Sequence, residues 1–132
     1  MVIDTSALVA ILFREPEQKH FIQLIQGAEL RLMSAASVLE TSTVVEASFG
    51  EIAGRDLDLF LREAEVNVVS VDREQVEAAR MAWRRYGKGR HRAALNFGDC
   101  FVYALAKTTG EPILAKGNDF AQTDIQICMP IA

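Results

Sequence analysis

Only two cysteines occur among the 132 residues, Cys100 and Cys128. They lie far apart, in neither a Cys-x-x-Cys nor a histidine-containing ligand spacing, so they indicate neither a disulfide framework nor zinc and read as buried free thiols. Long apolar runs are missing too, and nothing approaches the length that crosses a bilayer. The apolar N-terminal stretch has no basic leader and no cleavage-like site, so a soluble, cytoplasmic protein without a membrane partner is expected. Basic excess is also lacking, with 14 Lys and Arg against 18 Asp and Glu and a net charge of −4. Coating nucleic acid by bulk electrostatics requires a basic field that releases counterions, and this balance argues against it. No internal repeat or low-complexity segment is found.

What is present is a chain that is 50% hydrophobic. It is long enough for one real core and too short for two, so a single domain over residues 1–132 is expected. The chain is organised around its first dozen residues. The β-branched pair Val2-Ile3 ends at Asp4, and Thr5-Ser6 opens an apolar run, Ala7 to Leu12, that reads as a buried helix. A strand that stops at a carboxylate places that group at the carboxyl edge of a parallel sheet, where ligands and metals bind. A plain helix cap by Asp4 or Ser6 explains the same residues equally well.

The rest of the chain alternates. The first helix should end near Arg14-Glu15-Pro16, and a second runs from Pro16 to Gln26 with Gly27 as its stop. Leu30 to Met33 is a strand candidate, and Ser34 caps a helix reaching Phe49. Val38, Val45, Phe49 and Ile52 form an apolar stripe on it, more apolar surface than a domain of this size covers, which points to a homodimer. Gly54 is expected to break the pattern before a short helix from Asp56 to Ala64. Val66 to Val71 is the clearest strand, and Asp72-Arg73-Glu74-Gln75 has the form of a capping box. Asn96-Phe97-Gly98-Asp99 leads into an apolar helix closed by Gly110. Ile113 to Ala115 and Ile125 to Cys128 complete the strand candidates. Strands separated by helices imply an α/β fold, a mainly parallel sheet with helices on both faces.

Four acids stand at the junctions that such a sheet brings together. Asp4 and Asp119 follow strand candidates, and Glu40 and Asp99 lie early in helices. Two carboxylates about 5 Å apart repel by roughly 3 kcal/mol at an effective dielectric of about 20, so a cluster of four either keeps protons or binds a divalent cation. Oxygen donors with no convergent histidine or cysteine favour magnesium or manganese. One stretch is strongly basic. Arg84, Arg85, Lys88, Arg90 and Arg92, interrupted by Gly87 and Gly89, form a candidate phosphate-contacting patch on a mobile loop, with Tyr86 and His91 as stacking or hydrogen-bonding groups.

Val2-Ile3-Asp4-Thr5-Ser6-Ala7-Leu8, Glu40 behind Ser37-Val38-Leu39, Asn96-Phe97-Gly98-Asp99-Cys100 and Lys116-Gly117-Asn118-Asp119-Phe120 together resemble the four acidic motifs of PIN-domain ribonucleases, most of all VapC-type toxins of bacterial toxin–antitoxin pairs. The resemblance spans nearly the whole chain. It implies a single-domain three-layer sandwich of flavodoxin-like strand order and a magnesium- or manganese-dependent endoribonuclease acting on RNA. It also implies a homodimer held silent by a cognate antitoxin. Asp4, Glu40, Asp99 and Asp119 match the acidic positions, with Asp4 and Asp99 as the closest metal ligands. Glu40 would then orient or deprotonate a water, and Asp119 would bind a second ion or a water shell. Ser6 and Asn96 are candidates for placing waters or phosphate oxygens, and Asp124 stands outside the core set. Two rivals are a receiver-like signalling domain, with Asp72 as phosphoacceptor and Lys116 as its partner, and a catalytically inactive PIN-like module that binds RNA or protein.

Overall fold

The computed structural model describes residues 1–128. Its element order is β1 (Val2–Ile3), α1 (Thr5–Leu12), α2 (Gln18–Gly27), β2 (Leu32–Ser34), α3 (Ala35–Phe49), α4 (Glu51–Glu63), β3 (Asn67–Val69), α5 (Arg73–Tyr86), α6 (Phe97–Thr109) and β4 (Ile113–Leu114), followed by a short 3-10 turn, Phe120–Gln122. The four strands make one parallel sheet in the order β3-β2-β1-β4. Like the flavodoxin-like order, this one reverses direction beside β1. It differs from it in placing β2 and β3 on the same side, because the α3–α4 pair carries the chain one strand further outward rather than back across β1.

The layers follow from the two-residue period of the strands. Val2, Leu32 and Ile113 pack into one core with α5 and α6, alongside Ala82, Leu105 and Ala106. Ile3, Met33 and Leu114 point the other way, into a second core with Leu8 and Ile11 of α1, Phe21 and Ile25 of α2, and Leu57 and Leu61 of α4. Each fully buried aliphatic side chain contributes about 1.5–3 kcal/mol. A one-residue register slip would exchange the two cores, so the register is strongly specified. Helices therefore cover both faces, as the strand and helix alternation predicted.

Several boundaries differ from the sequence reading. The first helix stops at Leu12, and Arg14 turns the chain with φ 54°, so the second helix starts at Gln18 rather than at Pro16. Gly54 breaks nothing. The helix expected from Asp56 runs from Glu51, and Gly54 sits inside it against Glu46, where a β-carbon would come within 2.7 Å of Oε2. The residue that separates α3 from α4 is Gly50, at φ 76°. The strand predicted most clearly is the short edge strand Asn67–Val69, largely exposed because only β2 pairs with it. Of the last predicted strand, Ile125 to Cys128, only a bridge between Ile113 and Ile127 forms. No helix among the described residues is long and apolar enough to cross a membrane.

Candidate metal centre

Two of the four acids owe their positions to helix capping. Asp4, at the end of β1, caps α1 by accepting a hydrogen bond from the Ser6 backbone at 3.0 Å. Asp99 belongs to a reciprocal capping box on α6: its Oδ2 accepts from the Asn96 backbone at 3.0 Å, while its own N–H donates to Asn96 Oδ1 at 2.9 Å. Asp119 occupies the cap position of the 3-10 turn but makes no side-chain cap bond there. Cap and site are therefore not alternatives for Asp4 and Asp99, because the same bonds that start the helix fix the carboxylate.

Glu40 is held differently. Thr5 donates its hydroxyl to Glu40 Oε1 at 2.7 Å, and Thr41, one residue on, donates to the Ser37 carbonyl at 2.7 Å. Thr5 is buried between α1 and α3, so this bond ties the helix that follows Asp4 to the helix that carries Glu40. The loop after β4 is tied in as well, since the Lys116 backbone donates to the Ser6 hydroxyl at 2.9 Å. Ser6 thus positions the segment that delivers Asp119.

The electrostatics join the four. Burial raises the Asp99 carboxyl to about 6, against the bond from Asn96, and the charges of Asp4, Asp119 and Glu40 push it the same way. Asp4, almost fully buried, is also raised, first by desolvation and then by Glu40, although its bonds from Ser6 oppose the shift. Asp99 is the group that feels the other three acids. Among the described residues, no three acidic, histidine or cysteine side chains already stand in a metal-holding arrangement. The donor set nevertheless fits a hard divalent cation: it consists of oxygens alone, and Glu40 and Asp99 are each fixed through one oxygen, which leaves the second for an ion.

Asp124 stands apart from this group. It accepts from the Tyr103 hydroxyl at 2.7 Å and from Lys107 at 2.8 Å, at the far end of α6 from Asp99. Its bonds to Lys107 and Tyr103 outweigh its burial and hold its carboxyl below the usual range. The receiver-like pair is separated too. Asp72 follows β3 and caps α5 through the Gln75 backbone, whereas Lys116 follows β4 at the opposite edge of the sheet and pairs with Glu15 and Glu17. Three strand spacings, roughly 14 Å, lie between those edges.

The basic stretch is not an open, mobile loop. Arg84 and Arg85 complete the last turn of α5, and backbone bonds Lys88 to Leu95 and Leu95 to Tyr86, both 2.9 Å, close the segment. Gly87 packs so tightly on Trp83 that a β-carbon would fall 2.4 Å from the Trp83 carbonyl. Arg90 lies 4.1 Å from the centroid of the Trp83 ring, and Arg85 lies 5.3 Å from that of Tyr86. Tyr86 is buried and His91 packs edge-on against it, so neither is the open stacking group that the sequence suggested.

A family model described as PIN domain matches residues 1–126. The Ribonuclease VapC30 of Mycobacterium tuberculosis is 58% identical over 95% of both chains. A Ribonuclease VapC of Mycolicibacterium smegmatis is also 58% identical, over 95% of this chain and 97% of its own. Among solved structures, the Mycobacterium tuberculosis VapC20, described as a Sarcin-Ricin loop cleaving toxin, superposes with a TM-score of 0.79 at 20% identity, covering 98% of each chain. The VapBC2 structure of Rickettsia felis superposes with a TM-score of 0.73 at 14% identity, over 96% of this chain and 94% of that one. On the match to nearly its whole length, the chain belongs to the PIN-domain family, as a relative of the VapC ribonucleases.

Proposed function

We propose that this protein is a metal-dependent endoribonuclease and the toxin of a toxin–antitoxin pair. The observation that carries the reading is the convergence of acids at one sheet edge: Glu40, held by Thr5 next to Asp4, lies against Gly98 beside Asp99, and the charges of Asp4, Asp119 and Glu40 add to burial in raising the Asp99 carboxyl. The named ribonucleases 58% identical to it supply the reaction class.

Asp4, Glu40, Asp99 and Asp119 are the residues that would hold magnesium or manganese. When bound, such an ion lowers the pKa of its water and offsets charge developing on phosphorus. Asp4 and Asp99, fixed by their caps, would be its most direct ligands. Glu40, aimed by Thr5, orients the attacking water and accepts its proton. Asp119, exposed at the rim, would serve a second ion or the water shell. Arg84, Arg85, Lys88, Arg90 and Arg92 are exposed or partly shielded by the rings they flank, and they attract the RNA backbone.

The PIN unit takes in the whole chain, residues 1–132, and works in the cytoplasm. A second copy covers the exposed apolar corner of α3 and α4, and a cognate antitoxin silences the enzyme. Solved neighbours described as toxin–antitoxin or VapBC assemblies support the last point.

The test is cleavage of total RNA by the purified protein in chelator, in magnesium and in manganese, beside Asp99→Asn. Cleavage by the parent that requires metal and is lost in the variant is the expected result. Metal-saturated parent protein that leaves RNA intact while still binding it would point instead to an inactive RNA-binding module.

A further inference from the structure

Phe97 opens α6 with 81% of its surface exposed, the largest exposure among the big hydrophobic side chains of the described residues. Its ring forms part of a cavity of about 530 Å³ between α5 and α6, within the size range of small-molecule sites. Trp83, the only tryptophan of the chain, lines the same cavity together with Val76, Leu95 and Phe101. Arg80 and Lys88 also line it, and no carboxylate does, although the chain carries a net charge of −4. Arg90, stacked on Trp83, adds a third cation at its edge.

The cavity adjoins the carboxylates. Asn96, which lines it, is the capping partner of Asp99, and Phe97 is two residues from that acid on the same helix. Asn96 spends its side-chain oxygen on the Asp99 N–H, so its NH₂ is the group left to donate into the cavity. Phe97 meets Phe101 edge-on at 5.0 Å, which supports the ring without covering it.

We infer that this cavity holds one unpaired nucleobase of the RNA strand, next to the phosphate at the carboxylate cluster, by stacking on Phe97 and Trp83. The inference rests on the nuclease reading above and adds a base-recognition site to it. Aromatic faces beside fixed cations match a strand of flat bases joined by phosphates, and stacking of this kind tolerates any base. An apolar protein face seated here would bury Lys88 without a partner and desolvate the exposed Arg80–Glu77 pair, which is costly. Asn96 gives the site one polar group with which to prefer a base that offers an acceptor on its edge.

Trp83 makes the proposal measurable, because it is the chain's one tryptophan and it lines this cavity. The parent and Phe97→Ala are titrated in chelator with a short single-stranded oligoribonucleotide and with an abasic oligomer of equal phosphate number. Phe97 is exposed, so the variant should fold, and Phe97→Tyr is the conservative control. Quenching by the base-bearing strand is expected, with binding weakened about tenfold or more in Phe97→Ala, the worth of one base–aromatic stack, and restored in Phe97→Tyr. Both proteins should bind the abasic oligomer equally. An unchanged affinity in Phe97→Ala with silent Trp83, in a parent that cleaves RNA, would overturn this site and leave the nuclease reading standing. Equal losses on both oligomers, accompanied by a change in sedimentation, would assign the cavity to a protein interface instead. A parent that neither binds nor cleaves RNA removes both readings together.

Discussion

Gly98 and Glu40 meet where α6 crosses α3, so closely that a β-carbon on Gly98 would lie 2.3 Å from Glu40 Oε2. The glycine of the Asn96-Phe97-Gly98-Asp99 motif therefore makes room for a carboxylate from another helix. Gly98→Ala should displace the free end of Glu40 while leaving the fold intact. Stability should change by no more than about 1 kcal/mol, since alanine gains helix propensity of that order and the flexible glutamate can move away. RNA cleavage should fall at least tenfold. A melt and a cleavage assay on the same preparation check both, and full activity in Gly98→Ala would show that the Glu40 position is not critical.

The Asp99 carboxyl, at about 6 in the folded chain against 3.8 as its reference, fixes the sign of a pH effect. Between those values the native state binds more protons than the unfolded one, so this group's contribution is fully present at the acid end and is lost as pH rises through about 6. Asp4, raised in the same direction, adds the same sign. In chelator, the melting temperature of the parent relative to Asp99→Asn should therefore fall between pH 4.5 and pH 7, because asparagine does not titrate. A constant difference across that window would contradict the burial and repulsion assigned to Asp99.

Arg84 and Arg92 are exposed. Neither has the aromatic partner that Arg85 and Arg90 have. Changing both to Gln should weaken RNA binding and reduce the magnitude of the salt slope by roughly 0.7 for each lost phosphate contact, with magnesium binding unchanged. Binding measured at several salt concentrations supplies the slope, and an unaltered one would make these arginines ordinary surface charges.

The apolar stripe read from the sequence separates in the fold. Val45 is fully buried, whereas Phe49 and Ile52 are 63% and 66% exposed beside Phe13, whose ring meets that of Phe49 at 5.2 Å. A second copy covering this corner predicts a dimer at micromolar concentration in sedimentation, and a monomer when Phe49 and Ile52 are both replaced by Glu. A monomeric parent would refute it.

Asp4, Asp99 and Asp119 were legible because each ends a recognisable local pattern: Val2-Ile3 before Asp4, the turn before Asp99, the strand before Asp119. Glu40 ends none, since it lies inside α3, and only the family resemblance singled it out. Helix caps are written in adjacent residues, so Asp72 and Ser34 were readable for the same reason. Thr5 was not. It looked like a helix-opening residue, and its bond to Glu40 spans 35 positions, a contact that only the packing of α1 on α3 creates. Gly54 read as a break and Gly98 as part of the approach to a helix, yet both sit inside helices where a side chain from elsewhere passes close by. The last strand misled because Ile125 to Cys128 has strand composition but finds only Ile113 as a bridge partner. Pairing, rather than propensity, decides an edge.

The central claim is that Asp4, Glu40, Asp99 and Asp119 form a divalent-cation site, and the most direct test is the magnesium-dependent shift in the melting temperature of the parent beside Asp99→Asn at neutral pH. In chelator the variant should melt at the same temperature or higher, because one charge has left a repelling cluster. Saturating magnesium should reverse that order, since ion binding to the folded state stabilises the parent by mass action and the variant less. Equal magnesium shifts in the two proteins would contradict the claim and leave Asp99 as a helix cap.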